Sequence, residues 1–280
     1  KATIPRVAVP ASNNPPINVF DPVYGLTTAP SGPFTPTFTT QDSESYLLTV
    51  QDRIEIGRFN LIAGLQYVDD TSLYGGAGTL PYSEDRLSPK VGVTYAVTPN
   101  QSLYASYTTG TSPQYVATAT RESVPMRTSD QIEAGWKAEL FDGRVQAELA
   151  AYRLEQDRTI TPDPNQFGVF FVNGSTRSQG LEAALNGQLT DRLRLGLAYA
   201  YTDAEFLEGS LSPGNQTPNV PYNSGNAFVE MQWDDHWRSS LNVYAQGDRF
   251  ADLANTTVLD GYVTADLAQA YAFELAGNDV

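Results

Sequence analysis

Apolar and polar residues alternate along eleven segments of this chain, and the alternation predicts long β-strands. In residues 192–201, leucine and tyrosine occupy every odd position, while arginine, glycine and alanine occupy every even one. A period of two residues is typical of a strand with one apolar and one polar face. Most segments exceed the ~5–6 residues common in soluble sheets and reach the ~9–11 that a tilted strand needs to cross a bilayer. The segments are residues 42–55, 58–69, 86–97, 101–110, 128–140, 144–158, 176–189, 192–205, 223–233, 237–248 and 261–273.

The connections between these strands alternate strictly in length. Short turns are predicted at 56–57, 99–100, 141–143, 190–191 and 234–236. Long loops are predicted at 70–85, 111–127, 159–175, 206–222 and 249–260. All tight turns therefore fall at one end of the sheet and all large loops at the other. This asymmetry is typical of transmembrane barrels, with short periplasmic turns and long extracellular loops.

A tyrosine returns near the loop end of every second strand, at Tyr67, Tyr107, Tyr152, Tyr201 and Tyr244. An aromatic residue at one height of a repeated hairpin is typical of the interfacial girdles of membrane barrels. The expected fold class is therefore all-β, an antiparallel transmembrane β-barrel. Two alternatives stay open at this point. A soluble sandwich would pack the apolar face on a second sheet, and a propeller would repeat at a similar period, although the Trp233-Asp234 dipeptide occurs once.

Composition removes several classes of function. The 280 residues contain 16 tyrosines and 12 phenylalanines, one histidine (His236) and no cysteine, so disulfides, thiol catalysis and a multi-histidine metal site are excluded. The net charge of −15 and the lack of a basic cluster argue against nucleic-acid binding. No nucleophile, zinc or phosphate-loop motif occurs. We therefore expect no enzyme, no catalytic residue, no bound cofactor and no metal ligand.

The chain divides into two parts. Residues 1–41 are rich in proline, threonine and serine and lack periodicity, which predicts a long extracellular loop segment. Residues 42–280 contain the strands of the barrel. The first residues carry no apolar signal segment.

Several motifs, in order, resemble the barrel strands of TonB-dependent siderophore receptors. They are RLSPKVGVTY at 86–95, SLYASY at 102–107, TSDQIEAGWK at 128–137, RSQGLE at 177–182, LAYAYTDA at 197–204, PNVP at 218–221 and GDRF at 247–250. The segment NVFDPVYG at 18–25 is similar to a loop of the ferrichrome-type (hydroxamate) branch.

This resemblance implies a bacterial outer-membrane receptor that takes up ferric siderophores through a 22-stranded barrel closed by a plug domain. Its expected partners are the ferric siderophore, the TonB complex acting through the plug and TonB box, outer-membrane lipid and lipopolysaccharide. Eleven strands are half of that barrel, and no plug, TonB box or closing aromatic-ended strand is present in the sequence. The chain is therefore expected to be an internal fragment of the barrel domain.

Aromatic residues deep in the predicted loops are the candidate ligand contacts, because aromatic side chains offer large contact area at low conformational cost. The candidates are Tyr74, Tyr115, Phe170 and Phe171. Two other functions stay open. The same barrel could carry another cargo, such as a cobalamin, a metal chelate or a saccharide, or the chain could be a soluble or surface β-protein for adhesion.

Overall fold

Every regular element of the described chain is a β-strand. The structure is a computed structural model that describes residues 2–6, 37–75, 80–114, 124–162, 170–172, 174–275 and 278–279. The strands are β1 (Ala2–Arg6), β2 (Thr37–Ile56), β3 (Phe59–Gly75), β4 (Leu80–Thr98), β5 (Gln101–Ser112), β6 (Arg127–Leu140), β7 (Val145–Asp157), β8 (Ile160–Pro162), β9 (Phe170–Val172), β10 (Thr176–Gln188), β11 (Leu193–Phe206), β12 (Asn223–Gln232), β13 (Trp237–Gln246), β14 (Arg249–Phe250), β15 (Val258–Leu259), β16 (Tyr262–Tyr271), β17 (Glu274–Leu275) and β18 (Asn278–Asp279). In these same ranges no helix is long and apolar enough to cross a membrane, a finding that concerns helices only.

Twelve strands form one antiparallel sheet in the order β1-β2-β3-β4-β5-β6-β7-β10-β11-β12-β13-β16. The pairs β8-β9, β14-β15 and β17-β18 form separate ladders. All eleven predicted strands are confirmed as β2–β7, β10–β13 and β16. Since β1 and β16 each pair on one side only within the described ranges, the sheet is open.

The length asymmetry of the connections is confirmed at the short end, where the turns lie at 57–58, 99–100, 141–144, 189–192 and 233–236. In the turn at 141–144, Phe141 and Asp142 have φ angles of 53° and 57°, and Gly143 has 82°. Three successive left-handed residues reverse the chain within a few residues, and glycine adopts that region without steric cost.

The register separates two faces of the sheet, because directly paired residues of neighbouring strands face the same side. One row crosses eight strands and is apolar throughout: Ile54, Leu61, Val93, Ala105, Ala134, Ala151, Leu181 and Tyr201. We call this side the outer face. Leu181 and Leu197 on it are 58% and 55% exposed, and no second protein layer covers them in the described part of the chain. Such a broad exposed apolar surface fits contact with lipid.

The opposite side, which we call the inner face, is mostly polar or small. Its adjacent row is Arg53, Ile62, Gly92, Ser106, Glu133, Tyr152, Gly180 and Thr202. A polar face opposite a lipid-facing one is typical of the wall of a water-filled lumen.

The five recurring tyrosines, which we call the tyrosine belt, run obliquely to the hydrogen-bonded rows. When paired residues are followed from strand to strand as far as β11, Tyr67 falls at the level of residue 207 and Tyr244 at the level of residue 198. The line of tyrosines therefore shifts by nine residues along the strands over the eight strand pairs between β3 and β13. At ~3.4 Å per residue and ~4.8 Å between strands, a level belt requires strands tilted by about 40°. Transmembrane barrels have tilts of ~35–45°.

Aromatic pairs mark the other boundary of the outer face, near the short turns. The ring centroids of Phe59 and Tyr95 are 4.9 Å apart, and those of Trp233 and Trp237 are 6.0 Å apart. Phe59 precedes Tyr67 by eight residues of β3, which corresponds to about 21 Å along the membrane normal at a 40° tilt. That distance is close to the ~25 Å apolar band of membrane barrels.

Two segments depart from the sequence-based expectation. The predicted loop at 70–85 is wrong at both ends, because β3 continues to Gly75 and β4 begins at Leu80. The polar residues there break the alternation, but the hydrogen-bonded ladder needs no apolar outer face once it rises above the lipid. In the segment 1–41, β1 pairs with residues 37–41. Residues 7–36 lie outside the described ranges, so the assignment of this segment as an extracellular loop stays a prediction.

Candidate functional site

Tyr104 of β5 is the centre of a polar cluster on the inner face. Its hydroxyl donates to Glu133 Oε1 at 2.6 Å and lies 3.3 Å from Glu148 Oε1. Lys137 Nζ lies 2.9 Å from Glu148 Oε1 and 5.0 Å from the centre of the Tyr104 ring. The ring lies over Gly135, where a Cβ atom would come within 2.6 Å of it. The glycine therefore makes the space that fixes this tyrosine against the wall.

A groove of about 440 Å³ opens on the inner face beside this cluster. Its cationic lining residues are Arg53 of β2, Lys90 of β4 and Lys137 of β6, and we call it the cation groove. Tyr104 and several serine and threonine residues complete the polar lining, which contains no aspartate or glutamate. Glu133 and Glu148, which Tyr104 and Lys137 contact, border the groove and offset part of its positive charge.

Lys90 is held differently from the other two cations of the groove. A Cβ atom on Gly64 would come within 2.5 Å of Lys90 Cε and 2.9 Å of Cγ, so the lysine stem lies flat on the glycine of the neighbouring strand. Arg53 Nη2 lies 3.0 Å from Glu55 and 3.1 Å from Asn60 Oδ1, and Lys137 pairs with Glu148.

At the long-loop end, Glu84 joins three parts of the chain on the inner face. Its Oε2 accepts a 2.6 Å hydrogen bond from the Met126 backbone N–H, and its Oε1 lies 3.2 Å from Arg158 Nη1 and 3.3 Å from Arg86 Nη2. Arg158 also donates to the Met126 carbonyl at 3.2 Å. The connection between β5 and β6 is therefore tied inward to the extended β3–β4 hairpin. We call this group of side chains the Glu84 latch.

An apolar contact lies beside the Glu84 latch. Met126 is fully buried and packs in one cluster with Val68 and Tyr82. The Gln114 amide group donates to the carbonyls of Pro125 and Arg158 at 2.9 and 2.8 Å, which joins the two connections directly.

A second assembly joins the connections at 207–222 and 247–261. Asn255 Oδ1 accepts from the Gln216 backbone N–H at 2.7 Å, and Asn255 Nδ2 donates to the Gln216 carbonyl at 2.9 Å. Within the second connection, the backbone N–H of Thr256 and further donors of Thr256 and Thr257 lower the pKa of Asp252 to about 2. These hydrogen bonds hold the two loops together as one body.

The structure describes the side chains of two of the four predicted contact residues. Phe170 and Phe171 follow one another in β9, in the connection between β7 and β10, and Phe171 is 37% exposed while Phe170 is half-buried. Tyr74 lies in β3, paired with Gln41 and Leu80, rather than in a loop, and its side chain lies outside the described part of the chain. Tyr115 is also outside the described ranges. Their roles in ligand binding stay predictions.

The sequence analysis missed the residues of the cation groove and the Glu84 latch. A signal for Lys90 was present, because Lys90, Gly92 and Thr94 alternate with Val91, Val93 and Tyr95, which places the lysine on the polar face. No comparable signal exists for Glu84, whose partners are 42 and 74 residues away. In the ranges that the structure describes, no group of three or more His, Cys, Asp or Glu side chains is placed to hold a metal ion.

Comparison with known proteins gives a consistent result along the chain. Residues 8–278 match the family model described as TonB dependent receptor-like, beta-barrel. The metal-pseudopaline receptor CntO of Pseudomonas aeruginosa is 29% identical over 97% of this chain, and the ferrioxamine B receptor of Salmonella typhimurium is 25% identical over 94%. The matched parts are 40% and 38% of those receptors, so this chain spans well under half of their length.

The same fold occurs in a solved structure. The ferric preacinetobactin receptor BauA of Acinetobacter baumannii superimposes with a TM-score of 0.77 at 22% sequence identity, over 94% of this chain and 41% of BauA. The open sheet thus matches a part of a larger barrel wall.

Proposed function

The chain belongs to the TonB-dependent receptor β-barrel family, and on that premise we propose that it forms part of a bacterial outer-membrane receptor that imports metal chelates. The family match over residues 8–278 is the observation that supports this most strongly. The exposed apolar outer face and the polar inner face support it independently, because they suit a wall between lipid and a wet lumen. In this proposal the chain transports its ligand and catalyses no covalent change.

The proposed cargo is a ferric siderophore. The ferrioxamine B receptor among the relatives favours a hydroxamate-type siderophore, as does the motif at 18–25. The metal-pseudopaline receptor, at 29% identity, favours a second candidate, a metal chelate of the pseudopaline kind. Both candidates use the same wall and the same loops, so they differ only in the ligand.

The proposed partners are the TonB complex, acting from the lumen, and lipopolysaccharide, on the outer face. Energy would come from the TonB complex acting through a plug domain in the lumen, as the family resemblance implies. Above the tyrosine belt, the outer face carries the ion pairs Arg153–Glu155 and Arg177–Glu205. Charged groups at this height suit the polar part of the outer leaflet, and we propose that they contact lipopolysaccharide.

Uptake by the whole receptor tests this function. A strain that lacks its own siderophore and carries the receptor gene is supplied with radiolabelled iron or nickel as hydroxamate, catecholate and amino-carboxylate chelates. We expect import of at least one chelate that stops when TonB is removed. Import that persists without TonB, or import of a cobalamin or saccharide instead, would contradict the proposal.

Loop aromatics provide a sharper test of where the ligand binds. Replacing Phe171 by alanine should weaken ligand binding by roughly 10-fold, since a partly exposed aromatic contact contributes about 1–2 kcal/mol. Phe141→Ala is the matched control, because Phe141 is an exposed phenylalanine in a short turn at the opposite end. Equal affinities for both variants would remove Phe171 from the ligand site.

A further inference from the structure

We propose that Arg158 and Gly174 are positioning residues, which hold the β8–β9 hairpin and its Phe170–Phe171 pair at a fixed place for the ligand on the rim, the long-loop end of the sheet. This inference rests on the proposed function and deepens it, because it states what keeps the aromatic contacts in place. Two short links join the hairpin to the sheet, and each link is bound to a different loop assembly.

The hairpin leaves the sheet through a left-handed residue on each side. Strands β8 and β9 form a ladder of their own, apart from the twelve-stranded sheet. Arg158, between β7 and β8, has a φ of 59°, and Gly174, between β9 and β10, has a φ of 69°. Glycine adopts this region freely, whereas an arginine does so where its surroundings hold it. Arg158 lies six residues beyond the belt residue Tyr152, about 16 Å along the membrane normal at a tilt of about 40°, so both links lie above the belt.

The first link is fixed to the Glu84 latch. The Arg158 guanidinium lies 3.2 Å from Glu84 Oε1 and donates to the Met126 carbonyl at 3.2 Å. The Arg158 carbonyl in turn accepts from the Gln114 amide group at 2.8 Å. The side chain and the backbone of this one residue therefore hold the β8–β9 hairpin to the β3–β4 hairpin and to the connection between β5 and β6.

The second link packs against the connection between β11 and β12. A Cβ atom on Gly174 would come within 2.6 Å of the Gly209 carbonyl oxygen and 2.8 Å of the Ser210 nitrogen, so the two backbones are in direct contact. The Ser175 carbonyl accepts from the Leu207 N–H at 2.9 Å and lies 2.9 Å from the Ser210 hydroxyl. Because that connection is part of the second loop assembly, the hairpin stands between the two assemblies and is bound to both.

The same contacts close the base of the hairpin and leave its aromatic residues on the rim. The Thr159 N–H donates to the Gly174 carbonyl at 3.1 Å and joins the two links. Phe170 and Phe171 lie just ahead of Gly174 in the chain, and Phe171 is exposed. A shift of Gly174 against its partner connection would therefore move both rings. An aromatic contact that its own chain holds in place gives up little conformational entropy on binding, which raises affinity.

Binding of chelates to the purified whole receptor, including the segments that this chain does not contain, tests the inference. The probes are ferric hydroxamate, catecholate and amino-carboxylate chelates. Gly174→Ala should weaken the binding of an accepted chelate roughly 10-fold, as Phe171→Ala should, because the displaced rings lose their contact. If Gly174 acts through Phe171, the double variant should bind within about 2-fold of either single variant, whereas independent effects would multiply to about 100-fold.

Gly214→Ala is the matched control, because Gly214 has a similar φ of 79° but a Cβ atom there would meet nothing within 4 Å. It adds the same backbone strain and should leave the affinity unchanged. Arg158→Gly tests the first link and keeps it left-handed without strain, so it decides the question if Gly174→Ala does not fold. It should weaken binding about 3-fold or more and have no further effect in the Phe171→Ala receptor.

Unchanged affinity in Phe171→Ala, or in both Gly174→Ala and Arg158→Gly, would overturn the inference and leave the proposed function standing. Effects that multiply in the double variants, or an equal loss in Gly214→Ala, would also overturn it, since the links would then act on stability and not through Phe171. A receptor that binds none of the three kinds of chelate would overturn the inference and the proposed function together.

Discussion

Replacing Glu84 by glutamine should release the connection between β5 and β6 from the inner face. The carboxylate accepts from the Met126 N–H at 2.6 Å and lies within 3.3 Å of both Arg158 and Arg86. Glutamine keeps one acceptor oxygen but replaces the other with an NH₂ group. This group is a donor, and it would face another donor, either the Met126 backbone N–H or an arginine guanidinium, with which it cannot form a hydrogen bond. Glu84→Gln thus tests the latch with almost no change in volume.

The expected loss of free energy of loop docking depends on how exposed Glu84 and its two arginine partners are. A hydrogen bond to a charged acceptor contributes about 1 kcal/mol more than one to a neutral acceptor. The Glu84 side chain is 21% exposed and both arginines are 36% exposed, so each ion pair is discounted for solvent to roughly 0.5 kcal/mol. Together the change should weaken loop docking by about 2 kcal/mol, which is roughly a 30-fold change in the opening equilibrium.

Hydrogen exchange of the whole receptor in detergent measures this opening, because the Met126 amide is protected only while the latch is closed. We expect exchange in peptides that contain residues 124–127 to accelerate roughly 30-fold in Glu84→Gln, with no change in the strands below. Glu55→Gln is the matched control, since Glu55 pairs with Arg53 at 3.0 Å but both side chains are over 60% exposed. Its effect on exchange should be below about 3-fold.

Two outcomes would refute this reasoning. If Met126 exchanged at the same rate in Glu84→Gln and the unmodified receptor, the latch would not hold the connection. If exchange accelerated equally along β3, β4 and β6, the substitution would have destabilised the barrel as a whole, and the local role of Glu84 would be wrong.

Three further predictions concern the wall and the second loop assembly. Gly135→Ala should cost about 1–3 kcal/mol and lower the yield of heat-modifiable folded receptor, because its Cβ would meet Tyr104 and the Leu149 carbonyl, whereas Gly92→Ala, with contacts no closer than 3.7 Å, should fold normally. Leu197→Arg on the outer face should cost about 2–4 kcal/mol in equilibrium refolding into lipid, and Ala198→Arg on the inner face much less. The lowered pKa of Asp252 means that its contribution to loop stability is complete above about pH 4 and lost as the pH falls toward 2, so proteolysis of residues 249–260 should rise over that window and lose this dependence in Asp252→Asn.

The strands could be predicted from the sequence because their signal is local. A period of two residues with an apolar side needs no knowledge of distant contacts, and residues 192–201 show it in full. Tyrosine recurrence likewise indicated a common height, and alternation placed Tyr244 on the polar face, which the register confirms. The register adds that Tyr152 lies on the inner face as well. The ends of β3 and β4 were missed, since alternation loses its apolar members where the hairpin rises above the lipid.

The loop assemblies could not be predicted, because their contacts are far apart in sequence. Glu84 reaches Met126 and Arg158 across 42 and 74 residues, and Asn255 reaches Gln216 across 39. Asparagine and glutamate in a polar loop give no sign of which backbone group they will meet. Lys90 is intermediate, since alternation assigns its face, but the flat course over Gly64 depends on the register of a neighbouring strand.

The strand tilt that the tyrosine belt indicates determines the diameter of a closed barrel with a given number of strands. At a tilt of about 40°, each strand occupies about 6 Å of the perimeter, so twelve strands supply roughly 75 Å of it. A closed ring of 22 such strands, the number that the family resemblance implies, would have a backbone diameter of about 44 Å, too wide for side chains from opposite walls to touch. In the proposed receptor, a cylinder of this width would let small solutes pass unless a folded body filled it, so discrimination between solutes would arise where that body, the wall and the rim meet.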